Sequence, residues 1–597
     1  MIVSYWRTLS IVALLLVPVV AQAAVTVTLS KPYAQLVLGK TLQFKATVGG
    51  STNTGVVWLV NDAHGGTAAS GTITAKGFYT APAKLPNPAI ATITAVAKAD
   101  RSVRATATIT LLTHGEGGKV YYVAPNGSDT AAGSLSAPWK TIQHAATVAV
   151  AGDTVRVRQG VYNEHVAFRT SGNTAQGYIT FENYPGETAT VDGTGLTIPN
   201  QQFGLFTFAN VSYVVAEGFE VRNYTTASID EVPIGIFVTG AGSSVQLIDN
   251  KVHDITTTAA TTPNACASNA FGITIYGTQT AAAIDGLAIS GNEVSHLKTG
   301  CSETLSVDGN VTNFAIVDNS VHDDDNIAIG AIGFEKVAKD PSVDQARMGE
   351  IRGNTIFNIT SFGNPDYGNQ YAADGIYVDG GTDIVIEQNL IHAVDLGIEI
   401  ASEHLGRTSS FVTARNNVIY GGNSAGISIG GYAAGKGGTD HATIVNNTLY
   451  GNDTKKTGSG EFQIQFNATN NLFENNILYA AAQSLLVNDF TTSTPDPATL
   501  DFNLYFAPAG AKAHWNWQNH VYTGFAAYRT GSGQDVHSPA FADPDFISLT
   551  APNLDVTAAS PARGAGVLLD SSVLGTTDVS GNPRVKNGLV TLGAYEP

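Results

Sequence analysis

From about residue 120 onward, short aliphatic runs return at a nearly regular interval, and each is introduced by an asparagine. The recurring unit is Asn, any residue, an aliphatic, then an aromatic or His: Asn250-Lys-Val-His253, Asn319-Ser-Val-His322, Asn354-Thr-Ile-Phe357, Asn389-Leu-Ile-His392, Asn417-Val-Ile-Tyr420, Asn447-Thr-Leu-Tyr450 and Asn476-Ile-Leu-Tyr479, with a looser copy at Asn292-Glu-Val-Ser295. Successive asparagines stand 27 to 42 positions apart, as expected of one coil per repeat with loops of varying length. Alternating aliphatics predict strands with one face inward. Asn suits a tight turn, and stacked Asn side chains can hydrogen-bond from coil to coil. A leucine-rich repeat would need a Leu consensus and a helical half, and both are missing. The pattern predicts an all-β chain dominated by a parallel β-helix, a solenoid.

The first hundred residues follow a different rhythm. Val25-Thr-Val-Thr-Leu29, Val56-Val-Trp-Leu-Val60 and Ile90-Ala-Thr-Ile-Thr-Ala-Val96 alternate in short runs between Gly and Pro clusters. Such strands, one centred on Trp58, predict a small Ig-like β-sandwich over residues 24–113, and 114–118 form a Gly-rich linker. The β-helix is expected over 119–490, with its terminal and capping segment over 491–597.

Several motifs add to this periodicity. Tyr121-Tyr-Val-Ala-Pro-Asn-Gly-Ser-Asp129, Pro138-Trp-Lys-Thr-Ile142 and Gly152-Asp-Thr-Val155 resemble the entry segment of secreted right-handed β-helix proteins of the pectate-lyase-fold superfamily. The resemblance implies a right-handed solenoid whose open end is capped by a short helix. Asn503-Leu-Tyr505, Asp543-Pro-Asp-Phe546, Asn582-Pro-Arg584 and Gly593-Ala-Tyr-Glu596 resemble the terminal segment of bacterial β-helix proteins linked to surface anchoring.

Composition narrows the partners. Arg7, the apolar run Ile11 to Val20 and Ala21-Gln22-Ala23 read as an export signal over 1–23, so the protein is expected to be secreted, outside the cell or at its surface. That run is too short to span a bilayer, and no transmembrane segment is expected. A formal charge of -18 repels nucleic acid and anionic membranes, which leaves a polysaccharide as the expected partner of a monomer. Cys266 and Cys301 allow a single disulfide, although spacing alone does not establish it. No motif calls for an organic cofactor.

Candidate chemistry comes from strand registration. Aligning Asn326-Ile-Ala-Ile-Gly330, Gly375-Ile-Tyr-Val-Asp379, Gly397-Ile-Glu-Ile-Ala401, Gly426-Ile-Ser-Ile-Gly430 and Glu461-Phe-Gln-Ile-Gln465 sets two outward columns. One is Ala328, Tyr377, Glu399, Ser428 and Gln463; the other is Gly330, Asp379, Ala401, Gly430 and Gln465. Tyr377, Asp379 and Glu399 are then expected to emerge side by side onto open solvent, with Cα atoms of the two acids about 8 Å apart. Such a pair suits a glycoside hydrolase. Glu403, His404 and Arg407 complete the catalytic candidates, and Asp374, Ser428, Gln463 and Gln465 are candidate substrate contacts.

A lyase must instead neutralise a uronate carboxylate, remove the adjacent proton and stabilise the charge that develops. Asp323, Asp324 and Asp325 are the candidate ligands for a Ca²⁺ that would do the first of these. His404, Tyr377 or Arg407 would supply the base or the stabilising charge. The superfamily resemblance favours a polysaccharide lyase, residue chemistry alone leans to a hydrolase, and a non-catalytic glycan-binding adhesin is the third expectation.

Overall fold

A computed structural model describes residues 25–30, 33–61, 63–86, 90–99, 101, 103–112, 118–480, 483–508, 512–550 and 552–597. The expected export signal and all but the last residue of the expected linker lie outside the described residues. Residues 25–112 make a small β-sandwich of mostly antiparallel strands, in which Val56–Val60 pairs with Ile90–Ala97 and that strand with Arg104–Leu112. Its core gathers Phe44, Trp58, Tyr79, Ile93 and Ile109. Val37 and Leu85 rest on Tyr178, Val215 and Ile248, so the sandwich packs against the flank of the next unit.

From Val120 the chain winds into a parallel β-helix with three long sheets of 19, 12 and 13 strands. Every strand alternates faces, so aliphatics at every second position fill a continuous interior. Ile376, Val378, Ile398, Ile400, Ile427, Ile429 and Ile464 are fully buried there. Each such side chain contributes roughly 1.5–3 kcal/mol relative to exposure.

The asparagines stack as one ladder. The Nδ2 of Asn389 donates to Oδ1 of Asn417 at 2.9 Å, Asn417 to Asn447 at 2.9 Å, and Asn447 to Asn476 at 3.1 Å. Asn292 is a full rung despite its looser motif, and Asn503 extends the ladder to Asp535. Each Oδ1 also accepts a backbone N–H from the coil before it, as Asn417 does from Asn389. Buried turns thereby satisfy donors that would otherwise be orphaned.

Both ends are closed. Helix α1 (Ile142–Val148) buries Ile142, Ala145 and Ala146 at the entry, and Thr141 caps it by accepting the His144 N–H. At the far end α2 (Phe525–Ser532) stacks Tyr528 on Trp515 at 5.2 Å. The last residues then fold back along the coils. Asn416, Asn446 and Asn475 donate to carbonyls of Leu574, Thr591 and Val567, and fully buried Arg584 pairs with Glu596 at 2.8 Å. A disulfide joins Cys266 to Cys301 across 5.1 Å between Cα atoms.

Candidate functional site

Seven consecutive strands of the 13-stranded sheet build the site: β1 (Phe271–Gly277), β2 (Leu305–Gly309), β3 (Ile329–Ile332), β4 (Asp374–Asp379), β5 (Leu396–Ala401), β6 (Ile427–Ile429) and β7 (Phe462–Ile464). Tyr377 pairs with Glu399, Glu399 with Ser428, and Ser428 with Gln463, so the first outward column holds from β4 to β7. On β3 the register differs from expectation: Gly330, not Ala328, lies beside Tyr377. The chain bends through 326–328 before β3 begins, and Ala328 is fully buried in the core. A slip of two residues leaves the outward parity intact.

The face is not open solvent. Tyr377 is 7% and Asp379 3% exposed, and Glu399 is half-buried, so the three form the floor of a trough. The Tyr377 hydroxyl donates to Glu403 at 3.3 Å, and the Glu403 N–H donates to Oδ1 of Asp379 at 2.8 Å. Gln465 donates to Glu399 at 2.6 Å and to the Ser428 hydroxyl at 2.8 Å. Burial, with the nearby Glu403 charge, pushes Glu399 up to about 7, and burial beside Glu403, Glu335 and Asp308 raises Asp379 well above the carboxylate range. Burial and the surrounding acids likewise hold the Tyr377 phenol well above its ordinary value.

Turns from successive coils raise one wall. A cleft of about 470 Å³ is lined by Phe334, Lys336, Lys339, Asp344, Glu403, His404, Arg407 and Lys436 among others. His404 meets Glu335 at 3.1 Å, Arg407 lies over the Phe334 ring at 4.7 Å, and Lys436 faces Glu403 at 3.5 Å and the Tyr432 ring at 4.6 Å. His404 and Arg407 therefore take partners other than Glu403.

Several expected roles need correction. Asp374 is 3% exposed and shares the inward parity of Ile376, so it makes no substrate contact. Ser428 is fully covered, and Gln465 is 8% exposed; both support Glu399 from behind, while Gln463 stays half-exposed. The three acids Asp323 to Asp325 do not converge. Asp323 bonds His322 and Asn358, Asp324 turns inward to the Leu297 N–H, and Asp325 accepts from Thr299. Asp323 and Asp324 end the strand Ser320–Asp324 of the 12-stranded sheet and Asp325 follows it, and a Ca²⁺ does not fit donors that point to opposite sides. Tyr420 stacks with His392 on that same sheet, away from the trough.

Sequence reasoning missed Tyr276, Asp308, Glu335, Lys336, Lys339 and Lys436. Tyr276 and Asp308 pair across β1 and β2 in the second column, and the alternation Leu305-Ser-Val-Asp308 was the signal that could have revealed them. The others sit in loops between coils, where no periodicity guides the eye.

The protein YwoF of Bacillus subtilis (strain 168) is 35% identical over 447 residues, spanning 75% of this chain and 92% of YwoF. The chain belongs to the YwoF family. Consistent with its coils, a model for the Pel9A-like right-handed β-helix region matches residues 121–288, and a model for the right-handed β-helix region matches 234–449. The chain also shares 39% identity over 77 residues with pectate lyase PEL9 of Emericella nidulans, covering 13% of the chain and 18% of that enzyme. Among solved structures, pectate lyase Pel9A superposes with a TM-score of 0.44 at 15% identity, over 80% of this chain and 96% of that one. A rhamnogalacturonan lyase superposes with a TM-score of 0.38 at 15% identity, over 74% and 96%.

Proposed function

We propose that the protein is exported and cleaves an acidic polysaccharide outside the cell by β-elimination beside a uronate carboxylate. The observation that carries this is the charge of the cleft. On a chain of net charge -18, Lys336, Lys339, Arg407 and Lys436 gather around one cleft, directly beside a floor of buried acids. A rim of that kind binds carboxylates of a polyanion where the rest of the surface repels them.

The roles follow from each environment. Arg407 and Lys436 face the uronate carboxylate and stabilise the charge that builds on it. Glu403, 42% exposed at its side chain beside Lys436, removes the proton on the adjacent carbon. The electron pair forms the new C=C bond while the glycosidic C–O bond breaks. Glu399, which keeps its proton up to about 7, donates one to the departing oxygen. Tyr377 steadies Glu403, and its phenol is too strongly held to act as the base. Hydrolysis by Asp379 and Glu399 is the second reading, and the basic rim, which suits a polyanion, favours elimination over it.

The N-terminal sandwich is read as an Ig-like module packed against the solenoid, and the C-terminal segment as the part that associates with the cell surface, in a monomeric protein. A screen of uronate and neutral glycans tests the activity. Elimination gives an unsaturated product that absorbs in the ultraviolet. Reducing ends without that absorbance would mean hydrolysis, and binding without any cleavage would favour an adhesin.

A further inference from the structure

Three turns bring one unusual donor set together. Glu335 follows β3, Asp379 ends β4, and His404 follows β5, so consecutive coils each supply one group. One donor atom from each lies within 4.8 Å of the other two. Asp379 is 3% exposed, and only Oδ1 receives a hydrogen bond, from the Glu403 N–H at 2.8 Å. No hydrogen bond reaches its other oxygen from the described residues. Close by on the same outward face, Asp308 is 5% exposed, and its Oδ1 is buried without a partner. A buried carboxylate oxygen left without a donor, as at Asp308, is costly, and a nearby cation offsets that cost.

We propose that Glu335, Asp379 and His404 bind a divalent transition cation that pins the turns after β3 and β5 to the end of β4. An imidazole and two carboxylates suit Mn²⁺ or Zn²⁺, whereas Ca²⁺ collects six to eight oxygens. Three protein ligands facing a cleft leave further positions for water. Without the ion, His404 and Glu335 fall back on their mutual contact at 3.1 Å. The ion would order the wall that carries Arg407 and Phe334, whichever reaction the cleft performs.

Binding is read on the full chain without substrate, so its failure is distinct from failure of the proposed activity. After chelator treatment and dialysis, the protein is titrated calorimetrically with MnCl₂, ZnCl₂ and CaCl₂ in turn. One equivalent of Mn²⁺ or Zn²⁺ should bind, more tightly than Ca²⁺, and raise the thermal midpoint. His404→Ala and Glu335→Gln should each weaken binding roughly tenfold or more. Their side chains are 29% and 49% exposed, so the metal-free midpoint should stay unchanged. Absence of Mn²⁺ and Zn²⁺ binding at millimolar concentration, or undiminished binding by both variants, overturns the proposal.

Discussion

Replacing Glu399 with Gln separates catalysis from stability in a direction opposite to most active-site changes. The folded protein raises this carboxyl from 4.5 to about 7, so folding binds its proton more tightly than the unfolded chain does. The stabilising contribution is complete below about pH 4.5 and is lost as pH rises through about 7. At 1.36 kcal/mol per pH unit, the full gap corresponds to about 3 kcal/mol. Water in the trough and the Gln465 hydrogen bond reduce the usable part to about 1–2 kcal/mol. A glutamine keeps the shape and the Gln465 contact but never carries charge. Chemical denaturation should therefore show wild type and Glu399→Gln alike at pH 4, and the variant more stable by about 1–2 kcal/mol at pH 8. Turnover of the cleaved glycan should vanish at both pH values. A variant less stable than wild type at pH 8, or one that still turns over at the wild-type rate, refutes the assignment of Glu399 as a buried proton donor.

The remaining expectations concern the rim, the ladder and the C-terminal clamp. Arg407→Ala and Lys436→Ala should each raise KM for an acidic glycan about tenfold, the cost of one charge-assisted contact, and added salt should shrink the difference. Asn389→Ala removes bonds to Asn417, Asn354 and the Ile351 carbonyl and strands the Asn354 N–H, so it should destabilise by about 3 kcal/mol in denaturant titrations. Arg584→Met leaves Glu596 charged and buried without its partner; about 3–5 kcal/mol should be lost, read as early proteolysis of residues 540–597.

Two periodicities determined much of this protein before any coordinate. Alternation of aliphatic and other residues fixes which side chains face the interior, and the recurring asparagine fixes where each coil turns. Both are local consequences of strand geometry, which is why Tyr377, Glu399 and Gln463 fell on one face and the ladder ran from rung to rung. Local parity carries no information on depth or reach. Only the stacked coils decided that Asp379 lies under its neighbours, that Ser428 is covered, and that Asp323, Asp324 and Asp325 diverge. The cations of the cleft are decided the same way. Lys336, Arg407 and Lys436 are scattered across a hundred residues of chain and become neighbours because each coil returns the chain to the same edge, a distance relation that exists in space and has no counterpart along the sequence.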